Sequence, residues 1–146
     1  MNSKKIMTKL SEALGRVNAS YAVIAQKYNM SYNTLMIIYI LDDCDHVTQK
    51  DICEKMYLSK STVNGLLKDL KSRGYVELVQ GRNKKEKYIV FTEEGKRVNT
   101  KIQMDTDKFE AGILVWLGEE STKIFLQQAE KVSCRMLETV SDVIKE

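Results

Sequence analysis

The chain has 146 residues, of which 43% are hydrophobic and 29% are charged, and its formal net charge is +3. This length favours one domain with a core of its own, and the composition is that of a globular protein in water. The longest apolar run, Leu35–Leu41, is far shorter than the roughly 18 residues of a membrane span, and the first residues lack the apolar segment of a signal peptide. We therefore expect a cytoplasmic protein with no membrane association.

The N-terminal third predicts two helices. Apolar residues repeat every three or four positions over residues 6–28, and this stripe is longer than a small core requires. Part of it is expected to pack on a partner chain, the alternative being burial within one subunit. Ser31 can cap a second helix over about residues 32–43. Apolar side chains point all round this helix, so it should be central and buried.

The segment Asp42–His46, which reads DDCDH, contains residue types that bind metal ions. Adjacent residues rarely converge on one ion, however, and the chain has only one histidine. A solvated loop is therefore the favoured interpretation, and we expect no metal and no cofactor.

Two short helices are predicted next. Thr48 and Asp51 form the T-x-x-D pattern of a capping box at the start of a third helix. Ser59 can cap a fourth helix that ends near Gly74. Its apolar residues share one face, and its outward face is polar and basic. Two short helices joined by a tight turn are the helix-turn-helix pattern, in which the second helix is the recognition helix.

Two β-rich runs, Tyr75–Val79 and Tyr88–Phe91, enclose the basic loop Gln80–Lys87. They predict a β-hairpin. Directly after a helix-turn-helix, such a hairpin is a wing whose cations can reach phosphates or the minor groove. Residues 48–97 hold 12 Lys and Arg against 7 Asp and Glu, a net charge of +5, whereas the remainder has a net charge of −2. This distribution is typical of a nucleic-acid surface.

Two long helices complete the prediction. Thr92 should cap a helix over about residues 93–116, and the interruption Leu117–Gly118 separates it from a last helix over about 119–145. The predicted fold class is therefore mainly α (α+β), a winged helix-turn-helix with flanking helices in the order α-α-α-α-β-β-α-α.

This order resembles the MarR (multiple antibiotic resistance regulator) family over nearly the whole chain. The residues that carry the resemblance are Thr48-Gln49 with Ile52, Ser59–Val63 with Leu66, Leu67 and Leu70, Arg73–Val76, Phe91–Gly95, and Leu117–Glu120. The resemblance implies a homodimer whose first and last two helices intertwine, with recognition helices in successive major grooves of a pseudo-palindrome. We expect one domain over residues 1–146, with a DNA-binding module at 47–92 and a dimerisation region at 5–45 plus 93–146.

Three positions depart from the family pattern. Asn83-Lys84-Lys85 stands in the wing where the family usually has an Asp followed two residues later by Arg, so a fixed Asp–Arg pair is not expected. Tyr57 occupies the turn, where Gly is frequent. Gly65 lies mid-helix on the groove side, at a cost of about 1 kcal/mol in helix propensity. Close backbone approach to DNA and simple loss of a side-chain contact both remain open for it.

Helical phase and the resemblance together assign the DNA contacts. Asparagine can pair with both hydrogen-bonding groups of an adenine edge, Ser and Thr hydroxyl groups can contact bases or phosphates, and Lys and Arg serve phosphates here. The predicted base-reading residues are Ser61, Thr62 and Asn64, the predicted phosphate contacts are Ser59, Lys60 and Lys68, and the predicted wing contacts are Arg82, Lys84 and Lys85.

We therefore predict a homodimeric, sequence-specific regulator of transcription that binds double-stranded DNA, with repression as the expected sign. The resemblance also implies a cleft for a small-molecule effector. Candidate lining residues are Tyr21, Tyr28, Met36 and Tyr39, although such a stripe is more often core.

Three other classes of function have less support in the sequence. A thiol-based redox sensor would use Cys44, Cys53 or Cys134, but relatives of that kind carry their cysteine early in the first helix. A winged helix that binds protein instead of DNA is the second alternative, and the net charge of +5 argues against it. An enzyme is not expected, because the sequence has no Gly-rich phosphate loop and no base beside a nucleophile.

Overall fold

A computed structural model describes residues 2–144. It contains the predicted elements in the predicted order, with boundaries within one helical turn of the expected ones. They are α1 (Ser3–Lys27), α2 (Tyr32–Asp43), α3 (Gln49–Met56), α4 (Lys60–Ser72), β1 (Val76–Gln80), β2 (Lys87–Phe91), α5 (Glu93–Leu117) and α6 (Glu119–Ile144). The winged helix-turn-helix fold class is thereby confirmed. The predicted end of the last helix, residue 145, lies outside the described residues.

Side-chain hydrogen bonds explain where the helices begin. The Ser31 hydroxyl accepts from the backbone N–H of Thr34 at 3.1 Å and caps α2. The predicted capping box at α3 is present, since Asp51 N donates to Thr48 Oγ1 at 3.2 Å and Thr48 N donates to Asp51 Oδ2 at 2.8 Å. Each bond satisfies a backbone N–H that the first helical turn leaves without a partner.

Residues up to Met104 form one compact unit with its own core. The prediction that α2 is central is confirmed, because Leu35, Ile37 and Ile38 are buried and α2 packs against α1, α4 and β2. Val63 and Leu70 bring the inner face of α4 into the same core. The outer face of α4 is therefore fixed by apolar packing on its inner side.

Residues from Asp105 form a second compact unit, made of the C-terminal part of α5 and of α6. Within the described part of α6 no residue is buried. Large apolar side chains of this unit are exposed, including Trp116 at 83% and Phe125 at 61%. Among residues 2–144, no helix has the length and apolarity needed to cross a membrane.

The hairpin is antiparallel, with Val76 opposite Phe91 and Gln80 opposite Lys87. It is closed at its base, where Thr92 N donates to Tyr75 O at 3.1 Å and the Thr92 hydroxyl donates to Gly74 O. Gly74 has φ +72°, a left-handed conformation that suits glycine where α4 ends. The chain thus turns from recognition helix to wing within three residues, Arg73–Tyr75.

Candidate nucleic-acid interface

A cleft of about 880 Å³ lies between α3, α4 and the hairpin. Two carboxylates, Glu77 and Glu86, line it together with a larger number of cations. The lysines of its wall are Lys50, Lys60, Lys68, Lys71, Lys85 and Lys87. Because six lysines face two carboxylates between folded elements, the cleft has a net positive charge.

The outer face of α4 presents the side chains that the sequence pattern placed there. Ser61, Thr62, Asn64 and Lys68 are exposed, while Val63 on the inner face is fully buried. Asn64 and Lys68 also line the cleft. The amphipathic phase predicted for this helix is confirmed.

Ser59 has a structural task at the start of α4. Its hydroxyl oxygen accepts from Thr62 N at 3.1 Å and shares a 2.9 Å hydrogen bond with the Thr62 hydroxyl. Lys60 follows as the first residue of the helix, where the carbonyl oxygen accepts from Gln49 Nε2 at 3.2 Å. The N-terminal end of the recognition helix is therefore held from α3 as well as by its own cap.

Gly65 leaves the middle of this face open. A Cβ built on Gly65 would meet no atom within 4 Å. Packing inside the subunit is therefore not the reason for a glycine here. The two explanations for Gly65 given above therefore still apply, namely close approach of DNA to the backbone or simple loss of a side-chain contact.

The wing tip has an internal framework of hydrogen bonds. Asn83 Oδ1 accepts from the backbone N–H groups of Lys85 at 2.9 Å and Glu86 at 3.1 Å. The Glu86 carboxylate accepts from Arg82 N at 3.0 Å and from the Tyr88 hydroxyl at 3.2 Å. Asn83 thus shapes the turn with its own side chain.

The three predicted wing cations are all exposed. Lys85 lines the cleft, whereas Arg82 and Lys84 stand outside its wall. The predicted contacts are thus divided between two places, the cleft wall and the hairpin tip.

The polar residues of the cleft wall that sequence reasoning did not select include Gln49, Lys50, Lys71 and Lys87. Lys71 could have been found from helical phase, since it lies seven residues after Asn64 and three residues after Lys68. Lys87 shares the hairpin face of Ile89, because strand residues two apart point the same way. Gln49 and Lys50 precede the recognition helix and belong to the wall through the packing of α3 on α4.

Asp51 is the titratable group of this region with a clear shift. Hydrogen bonds from the Thr48 side chain and from the Thr48 backbone N–H lower the pKa of the Asp51 carboxyl below its ordinary value. These bonds favour the ionised carboxylate. The capping box of α3 is accordingly strongest when Asp51 is charged.

The sequence also raised a metal site at Asp42–His46 and a role for the cysteines. Among residues 2–144, no three His, Cys, Asp or Glu side chains come together as a metal site requires. The His46 ring packs on Tyr88 with 4.9 Å between ring centroids. Of the three free cysteines, Cys53 is half-buried in the cleft wall, Cys44 is half-buried, and Cys134 is exposed.

The residues considered for an effector cleft are half-buried at the edge of the core. Tyr21 and Tyr39 meet edge to face at 6.1 Å, and Met36 packs against the same core. The Tyr28 hydroxyl donates to the carbonyl oxygen of Lys101 at 2.9 Å. In the described subunit these side chains act as packing residues.

A helix-turn-helix followed by a basic hairpin defines a winged helix-turn-helix protein. A sequence model described as MarR family matches residues 28–85. The chain is 28% identical over 117 residues to the "Uncharacterized HTH-type transcriptional regulator YwoH" of Bacillus subtilis, a region covering 75% of this chain and 85% of that protein.

Solved structures share the fold. NMB1585, a MarR family regulator from Neisseria meningitidis, superposes with a TM-score of 0.82 at 23% identity, over 97% of this chain and 99% of that one. Staphylococcus aureus MarR in complex with salicylate and kanamycin gives 0.75 at 14% identity, over 93% of both chains. Residues 28–85 thus match the MarR family model, and the chain has the fold of MarR family regulators. The B. subtilis relative and the N. meningitidis neighbour are both described as regulators, a class of protein distinct from enzymes.

Proposed function

We propose that this protein binds double-stranded DNA sequence-specifically as a homodimer and represses transcription from a pseudo-palindromic operator. The observation that carries the proposal is the lysine-lined cleft between α4 and the wing. Cations on a groove-sized surface neutralise phosphates and release condensed counterions, which supplies affinity without sequence preference. An exposed polar helix face beside them can then read base edges.

The proposed division of labour follows exposure and chemistry. Asn64 is exposed on the cleft side of α4 and can bind an adenine edge through two hydrogen bonds, and Ser61 and Thr62 are exposed three and two residues before it. Lys60, Lys68 and Lys85 line the cleft and serve as phosphate contacts. Ser59 contributes through its cap, which presents the first turn of α4, and Arg82 and Lys84 extend the contact from the hairpin tip.

Homodimerisation is supported by apolar surface that one subunit leaves in contact with water. In α1, Leu14 and Val17 are 55% and 50% exposed, and in the second compact unit Trp116 is 83% exposed. Extended exposed apolar patches mark interaction surfaces. We assign residues 5–45 and 93–146 to dimerisation and 47–92 to DNA binding, within a single domain over 1–146. Two recognition helices would then lie about 34 Å apart, one turn of DNA.

A small-molecule effector is the remaining part of the proposal. The support is a structural neighbour, the S. aureus MarR whose structure contains salicylate and kanamycin. Binding of such a ligand to one arrangement of the dimer would shift the population of the DNA-binding arrangement.

Selection of bound duplexes from a random DNA pool with the purified protein tests the proposal. A palindromic consensus with half-sites about 10 bp apart is expected. An Asn64→Ala variant should then change the base preference, whereas Lys68→Ala should weaken all duplexes alike and reduce the salt slope by about 1. Absence of enrichment with the wild-type protein would reject DNA binding and favour a protein partner for the same surface.

A further inference from the structure

The last turn of the recognition helix carries a long-range contact outside the cleft wall. Arg73, the C-cap of α4, donates from Nε to Asp69 Oδ2 at 2.8 Å, one turn earlier in the same helix. Its Nη2 donates to the backbone carbonyl oxygen of Asn29 at 2.8 Å, across 44 residues of sequence. Only 29% of the Arg73 side chain is exposed. The guanidinium therefore connects α4 to the turn between α1 and α2.

That turn is itself held in place. Asn29 adopts a left-handed conformation with φ 53°, which asparagine tolerates better than most residues. Met30 N donates to Ala25 O at 3.0 Å, and the Met30 side chain is buried. Next to it, the Tyr28 hydroxyl donates to Lys101 O in α5 at 2.9 Å. The acceptor that Arg73 uses thus belongs to a turn anchored on α1 and α5.

We infer that Arg73 is a positioning residue that fixes the orientation of the recognition helix for base reading, an inference that rests on the proposed DNA-binding function. Apolar packing through Val63 and Leu70 holds the inner face of α4 on the core, but it contains no hydrogen bond that fixes a direction at the end of the helix. The planar guanidinium fork binds two acceptors in one fixed geometry, which a lysine cannot do. Arg73 supplies the directional contact at the end of the helix remote from its N-cap.

The consequence differs for the two kinds of DNA contact. Base recognition requires hydrogen-bond distances and angles within narrow limits. Long lysine side chains, by contrast, follow phosphates through their own rotation. Loss of Arg73 should therefore lower affinity for the selected operator while leaving affinity for unrelated duplex unchanged.

The test compares four variants with the wild type on the selected operator and on unrelated duplex. Arg73→Ala should weaken operator binding about tenfold, since a hydrogen bond from a charged donor is lost on each side. Arg73→Lys keeps the positive charge but lacks the planar guanidinium, so it should weaken operator binding about threefold. Tyr28→Phe, which loosens the turn from the other side, should act in the same direction with a smaller effect. Arg97→Ala is the matched control.

Arg97 makes the same kind of pair as Arg73, with Glu94 three residues earlier, but it stands exposed on α5. Its variant should retain operator affinity. Circular dichroism checks that each variant is folded. If Arg73→Ala is unfolded, the operator affinities of Arg73→Lys and Tyr28→Phe decide the test. A salt slope that falls by about 1 in Arg73→Ala would make Arg73 a phosphate contact and overturn the inference. So would unchanged operator affinity in Arg73→Lys and Tyr28→Phe. Failure of the wild type to select any duplex would instead reject the proposed function.

Discussion

Substitution of Gly95 by alanine should destabilise the protein by about 2–4 kcal/mol through overpacking and loss of a backbone hydrogen bond. Gly95 lies in the first turn of α5, where its Cα faces the backbone of Tyr75. An added Cβ would lie 1.9 Å from Tyr75 O, a distance real Cβ atoms do not reach because they stay beyond 3.0 Å. The backbone would have to move by about 1.1 Å, the difference between these two distances.

That movement acts on the base of the wing. Tyr75 O is the acceptor of the 3.1 Å bond from Thr92 N, and Gly95 N donates to Thr92 Oγ1 at 3.0 Å. Displacing the carbonyl therefore breaks the closure of the hairpin as well as the cap of α5. No flexible side chain is present at this contact to absorb the strain, since the three nearest atoms are backbone atoms.

Gly65→Ala is the matched control, because its Cβ would enter open space in the middle of α4. It should stabilise the protein by about 0.5–1 kcal/mol through helix propensity. Urea unfolding followed by circular dichroism, at one fixed protein concentration, measures both changes. A Gly95→Ala protein within about 0.5 kcal/mol of the wild type, the usual range of a surface substitution, would refute the steric reasoning.

Three further predictions concern the wing, the turn and acid stability. Glu86→Gln keeps an acceptor for Arg82 N and removes a negative charge from the cleft, so DNA affinity should rise about two- to fivefold in a titration at low salt. Glu86→Ala also removes that acceptor, so it should show no gain in affinity. Tyr57→Gly should raise the free energy of unfolding by about 1 kcal/mol in urea, because the Tyr57 backbone is in the left-handed region at φ 53° and its side chain is 73% exposed. A loss of stability would contradict this prediction. The pKa of Asp51 is lower in the folded protein than in the unfolded chain, where it is near 3.8. Ionised Asp51 therefore stabilises the fold above pH 3.8, and this stabilisation is lost as the pH falls through the pKa of the folded state. Asp51→Asn should therefore flatten the acid limb of a stability-against-pH curve, and an unchanged limb would exclude Asp51.

Local chemistry made most of the fold predictable. Ser31, Thr48 and Ser59 each carry a cap that a short-range pattern identifies, and in each case the structure begins a helix at the following residue. The change from helical to alternating periodicity after Gly74 located the hairpin. Those signals lie within a few residues of one another, so one sequence is sufficient to detect them.

The cleft was only partly predictable because it depends on contacts distant in sequence. Lys68 and Asn64 follow from the phase of one helix, whereas Lys50 belongs to the same wall only because α3 packs on α4. The contact between Arg73 and Asn29 spans 44 residues and involves a backbone carbonyl, which has no side-chain signature in the sequence. Asn83 was recognised as a departure, but its hydrogen bonds to two backbone N–H groups appeared only in the folded tip.

Hydrogen bonds close the base of the hairpin, so the length of the wing tip can change without moving α4 or α5. Gly74 and Tyr75 are fastened to Thr92 by two hydrogen bonds, so the two ends of the hairpin stay together whatever lies between them. Residues added in pairs at the tip would lengthen both strands in register without shifting α4 or α5. The reach of the wing along a duplex is therefore a quantity that can be lengthened or shortened by sequence change while the rest of the fold stays as it is.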